Sequence, residues 1–294
     1  MNPPVERVAI KPYVLITYFY QAAISGLILA FAPGIAWPYL VLAVGAAGAL
    51  MAMERVLRHR SEITGAAARL GYFAVFLPTS YLQLKAIIPA VHPRPLDATL
   101  RAIDQTIFGA DPTMAIQHLT HPLATEILQI AYMTYYLFPL VLPILLLRKR
   151  RILETEEFAF AMLLCYYVTF LGYIAVPASG PVVMIEHEVE LTGLFLGGHL
   201  YHLVLRVDAH RFDCFPSGHA AVAILVAAYA WKLAPRRVAG FLTVDAALII
   251  VATVYMRYHY VIDLPAGAAV AVGSYLLARH IYRPVEPEVE RSPS

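Results

Sequence analysis

Between Lys11 and Glu54 the chain carries no aspartate, glutamate, lysine or arginine. A helix that crosses about 30 Å of hydrocarbon needs about 20 mostly apolar residues, each rising about 1.5 Å. The run therefore holds two crossings, 12–32 and 36–53, with Pro33-Gly34 supplying the break. The same reasoning places further crossings at 66–90, 126–148, 158–176, 213–232, 238–256 and 262–282. The predicted fold is all-α, a polytopic integral membrane helical bundle of about eight transmembrane helices, with six as the lower limit. Composition agrees: 60% of the residues are hydrophobic and 14% charged, against about 25% charged in soluble domains. Disorder is excluded by the same figures. A net charge of +2 without a long basic block excludes a nucleic-acid surface.

Loop charge sets the orientation. Lysine and arginine concentrate in cytoplasmic loops. With eight crossings and an inner N-terminus, only Lys85, Arg94, Arg101, Arg206, Arg211 and Arg257 fall outside; the other 16 of the 22 basic residues lie on inner segments. Segments 91–122, 177–216 and 257–261 then share the outer side. Met1 to Lys11 lacks a signal-peptide pattern, so the first crossing reads as a retained anchor.

The outer loops are long enough to hold structure. Leu96, Leu100, Ile103 and Ile107 recur at helical spacing, which predicts a short surface helix over 96–108 with Arg101, Asp104 and Gln105 off its apolar face. The uncharged stretch 191–205, with Gly197-Gly198, His199 and His202, reads as an interfacial or re-entrant piece. Tyr132, Tyr135, Tyr136, Tyr255, Tyr258 and Tyr260 cluster near span ends, where tyrosines serve as interfacial anchors. Cys165 and Cys214 read as free thiols, and the proline- and glutamate-rich tail 284–294 as disordered.

Two outer stretches carry the chemistry. Phe215-Pro216-Ser217-Gly218-His219 opens the sixth crossing. Serine caps free backbone N–H groups there, and a helix N-terminus beside glycine suits a phosphate. A histidine at that point donates a proton to a phosphate oxygen. Arg257-Tyr258-His259-Tyr260-Val261-Ile262-Asp263 occupies the next outer turn. His259 and Asp263 are four apart, so the carboxylate can hold one ring nitrogen and leave the other as a nucleophile. Two placements satisfy this: a shared helix face, or His259 in the turn with Asp263 in the first helical turn, as Pro265 favours. Arg257 can bind phosphoryl oxygens bidentately.

Pro-Ser-Gly-His followed some forty residues later by His-x-x-x-Asp resembles the type-2 phosphatidic acid phosphatase superfamily. The resemblance implies that His259 attacks phosphorus and forms a phosphohistidine, with Asp263 orienting it and His219 as general acid. It gives Ser217 and Gly218 to the phosphate oxygens. The phosphatase form of the last signature has Ser-Arg where Ala252-Thr253 stands here, and the first signature, Lys-x6-Arg-Pro, is absent. Lys85, Arg94 and Arg101 are the candidate replacement cations. These departures, with Arg-Tyr-His-Tyr, resemble the inositol phosphorylceramide synthase branch, which moves phospho-headgroups between lipids.

The expected protein is thus a phospholipid headgroup phosphotransferase, or alternatively a lipid phosphate phosphatase, with a lipid hydroxyl or water as acceptor. No cofactor is expected. No metal is expected either, since no Cys/His/carboxylate spacing, including that of outer His199, His202 and His210, matches a metal cage. Residues 1–283 read as one transmembrane catalytic domain, with 1–65 accessory and 66–283 the phosphatase-type core. The expected setting is a bacterial plasma membrane, termini inside and site outside. A non-enzymatic carrier places polar residues at the midplane; here only Asp245 is charged and deep, and it is expected to hydrogen-bond to Ser274 or Tyr275 of the last crossing.

Overall fold

The computed structural model describes residues 10–207 and 212–282. Among these residues every regular element is helical. In chain order they are α1 (Pro12–Phe31), α2 (Ala36–Leu57), α3 (Glu62–Val91), α4 (Asp97–Phe108), α5 (Pro112–Ala115), α6 (Pro122–Thr134), α7 (Phe138–Arg148), α8 (Ile152–Ala175), α9 (Pro181–Met184), α10 (Gly197–Val207), α11 (Gly218–Leu233), α12 (Arg236–Tyr255) and α13 (Asp263–Ile281). The tail 284–294, Arg211 and His210 lie outside the described residues.

Each expected crossing is helical, but the count changes. The helices α1, α2, α3, α8 and α12 are long and apolar enough to cross a membrane; α6 and α7, bent by 49° at their junction, make a sixth crossing if taken as one. Pro139 explains the bend: it has no N–H for the Tyr135 carbonyl four residues back and its ring crowds that carbonyl, so the helix breaks over 135–137. α11 has only 16 residues. It is apolar on all sides, and its alanines and valines are buried against α7, α8, α12 and α13. That pattern marks a core helix. α1, α2 and α3 join the bundle mainly through α8.

Ion pairs mark one end of the bundle. Lys11 at the start of α1 meets Glu156 (3.0 Å), Lys232 at the end of α11 meets Glu157 (2.6 Å), and Arg69 forks onto Glu54 (2.6 and 2.8 Å). The N-termini of α11 and α13 and the C-termini of α8 and α12 lie at the other end. Both cysteines are free and buried, as expected.

Two expectations are corrected here. Asp245 is buried, yet its Oδ2 accepts from the Thr134 hydroxyl (2.8 Å) rather than from Ser274 or Tyr275. α12 packs between α11 and α6, and Asp245 stands on the α6 side. Tyr275 is turned onto the Tyr229 ring instead, with centroids 5.0 Å apart. The surface helix exists as α4, but its buried face carries Asp97 and Asp104 beside Leu100, while Ile107 is 58% exposed.

Candidate active site

The two histidine stretches meet at the end of the bundle away from the ion pairs. Ser217 caps α11 as expected: its hydroxyl accepts from the Ala220 amide (3.2 Å). The Ser217 amide donates to the Asp263 carbonyl (3.0 Å), so the N-termini of α11 and α13 are tied together. Gly267 permits this approach, since a Cβ there would lie 2.4 Å from the Ser217 carbonyl oxygen. The Gly218 and His219 amides stand in the first turn of α11, where no intrahelical acceptor is available.

His259 sits in the turn before α13, and Asp263 is the first residue of that helix, so the second of the two placements holds. The Asp263 carboxylate is fully buried, and its Oδ2 lies 3.2 Å from His259 Nδ1. The same oxygen accepts from the Tyr260 amide (2.9 Å) and the Cys214 thiol (2.9 Å). With Nδ1 so engaged, Nε2 is the nitrogen of His259 left for chemistry. The His219 ring faces that of His259 with centroids 5.8 Å apart. His219 is itself packed between aromatic rings, stacked on Tyr132 (4.3 Å) and tilted against Tyr135 (4.1 Å). Its Nε2 is buried with no hydrogen-bond partner among the described residues.

The predicted cations do not converge in this way. Arg257 adopts a left-handed backbone (φ 66°), and its buried guanidinium donates to the Val189 carbonyl (2.5 Å). Burial pulls its pKa below the usual arginine value. Arg101 forks onto Asp111 (2.8 and 2.6 Å), which holds that carboxyl below the usual range. Arg94 is exposed in the α3–α4 connection, and no ion pair among the described residues holds it. The Lys85 side chain lies outside the described residues.

The residues that build the site's frame were not anticipated from the sequence. The Asp97 carboxylate accepts from the amides of Ser179 and Gly180 and from the Tyr260 hydroxyl (2.8–3.1 Å). Asp104 accepts from the amides of Val261 (2.7 Å) and Ile262 (2.9 Å). Burial raises the pKa of Asp104. Gly180, at φ 87°, brings the 177–180 segment against the histidine turn; a Cβ there would lie 2.4 Å from the Tyr258 carbonyl oxygen. Tyr132, Tyr258 and Tyr260, read as interfacial anchors, are buried, whereas Tyr136 remains 60% exposed. The Tyr258 hydroxyl donates to Gln129 (3.0 Å).

Asp97→Ala removes the acceptor of two buried donors and one half-buried donor, each leaving a penalty of about 1–3 kcal/mol. The expected outcome is a loss of about 3–5 kcal/mol in equilibrium unfolding in micelles. A loss below about 1 kcal/mol would show that Asp97 does not hold the frame.

Cys214, His259 and Asp263 present ligand-type atoms within 4.8 Å of one another. Those atoms already hydrogen-bond among themselves, and burial, with Asp263 alongside, pushes the Cys214 thiol well above its usual pKa.

The described residues form a helical membrane protein in which His219 and His259 face each other at one end of the bundle. Residues 98–277 match the model of the PAP2 superfamily, and the chain belongs to that superfamily. It is 27% identical over 192 residues to a PA-phosphatase related-family protein of Dictyostelium discoideum, a match covering 58% of this chain and 33% of that protein. The match thus spans about a third of the relative's length. No solved structure matches the chain.

Proposed function

We propose that this chain is an integral membrane phosphoryl-transfer enzyme acting on lipid phosphate esters, and that it moves a phospho-headgroup to a lipid hydroxyl. The observation that carries the reading is the fixed order Asp263, His259, His219. A buried carboxylate holds Nδ1 of one imidazole, and a second imidazole with an unpartnered Nε2 faces it.

His259 Nε2 attacks phosphorus as the ester P–O bond breaks, and His219 delivers its proton to the departing alkoxide. A phosphohistidine results. The acceptor hydroxyl then attacks phosphorus, its proton passes to His219, and the P–N bond breaks. Asp263 stabilises the positive charge on His259 in both steps. Ser217, Gly218 and the first-turn amides of α11 bind the phosphoryl oxygens. Neither step needs a metal or cofactor. His219 is packed between the rings of Tyr132 and Tyr135, an apolar setting that favours a lipid acceptor over bulk water. In this reading the reaction runs on the outer face of the membrane, with 66–283 as the catalytic unit and 1–65 accessory.

The second reading is hydrolysis, favoured by the name of the Dictyostelium relative. One assay separates the two. Purified protein in nanodiscs receives phospholipids labelled in the headgroup phosphate, with and without diacylglycerol or ceramide. Transfer moves label onto the added lipid; hydrolysis releases it to water. If neither occurs with any phospholipid of the panel, the reading fails. Label trapped on the protein should be acid-labile and base-stable.

A further inference from the structure

α1, α2 and α3 enclose a pocket of about 650 Å³, within the range of about 300–1,000 Å³ typical of small-ligand sites. It lies outside residues 98–277, the part of the chain that matches the family. Its walls are apolar and aromatic, with Tyr20, Ile24, Tyr39 and Phe76 among them, and they contain no charged residue. All three helices are long and apolar enough to span a membrane.

One group in the wall is out of place. Gln21 lines the pocket and is only 8% exposed; its amide nitrogen has the Tyr72 hydroxyl oxygen beside it, but its own oxygen has no hydrogen-bond donor among the described residues. Two other polar groups of the wall are provided for locally: the Tyr72 hydroxyl donates to the Ala46 carbonyl (2.9 Å) and the Thr79 hydroxyl to the Val75 carbonyl (2.8 Å). Hydrocarbon offers the amide of Gln21 nothing in return, since water is absent from the bilayer core. A carboxamide presents both a donor and an acceptor. An alkyl chain answers neither, and an ester carbonyl answers only the donor. A hydroxyl supplies the proton that the Gln21 oxygen lacks. A phosphate would answer the donor but would sit without a counter-charge, which the wall does not supply.

We infer that this pocket binds a neutral membrane lipid through a free hydroxyl held by the Gln21 carboxamide, with an acyl chain along the aromatic wall. The site is separate from the histidines, and the inference does not rest on the reaction proposed for them.

The test uses the full chain in phosphatidylcholine nanodiscs containing a small fraction of diacylglycerol with a diazirine in one acyl chain. After illumination, cross-linked peptides are mapped by mass spectrometry. Cross-links are expected within α1, α2 and α3, and unlabelled diacylglycerol should compete them away. Acetylating the probe's hydroxyl should lower them about fivefold, the scale of losing one modest hydrogen bond. Gln21→Leu should lower labelling by the free-hydroxyl probe to the same degree. Equal labelling by the acetylated probe, or by a diazirine phosphatidylcholine at the same fraction, would overturn the inference and leave a groove filled by bulk lipid. Labelling confined to other helices would overturn it too. The acetylated-probe comparison uses the unaltered protein, so the result stands even if Gln21→Leu fails to fold.

Discussion

His259→Gln is expected to lower lipid turnover by about 10⁴-fold or more, the scale seen when a covalent nucleophile is removed. Glutamine keeps a polar group of similar reach in the turn, and the bonds from Cys214 and the Tyr260 amide to Asp263 remain available. The fold should therefore survive, which a thermal melt checks. Initial rates on labelled phospholipid give the activity, and acid-quenched samples show whether phosphate still becomes attached to the protein. A variant retaining more than a tenth of the activity would remove His259 from the nucleophile role.

His219→Asn should cost about 10²–10⁴-fold on an ordinary lipid ester, the usual worth of a positioned general acid. The loss has a signature that packing alone would not produce. A p-nitrophenyl ester departs without needing a proton, so formation of the phosphorylated protein from that substrate should recover to near the rate of the unaltered protein. Rapid-quench measurement of the first turnover reads this step before His219 is needed as a base. An equal loss on both substrates would mean that His219 only fills the space between Tyr132 and Tyr135.

The bundle was largely legible because apolar runs of the required length leave little choice of structure. The fourth crossing carried its own warning in Pro139, which bends α6 against α7. The cluster was legible where chemistry depends on neighbours in sequence: Ser217 as a cap, and His259 four residues before Asp263. It was not legible where distant segments meet. Asp97 and Asp104 are seven apart and share a helix face with Leu100, yet carboxylates ordinarily face water, and the isoleucines suggested a different buried side. The tyrosines near span ends gave no sign of direction; contact with His219 and Gln129, not hydropathy, turns Tyr132 and Tyr258 inward. Arg101 was a plausible phosphate partner until Asp111, ten residues on, proved to occupy it.

The grip of α4 on the histidine turn has a consequence for variation. Asp104 takes hold of residues 261 and 262 by their main-chain amides, and Asp97 does the same at 179 and 180. At 179, 261 and 262 such a clasp is indifferent to what stands on the Cα atoms; at 180 only glycine fits against the Tyr258 carbonyl. Positions 179, 261 and 262 are thus free to exchange side chains while the imidazoles keep their bearing, so the rim can be retuned without the scaffold being rebuilt.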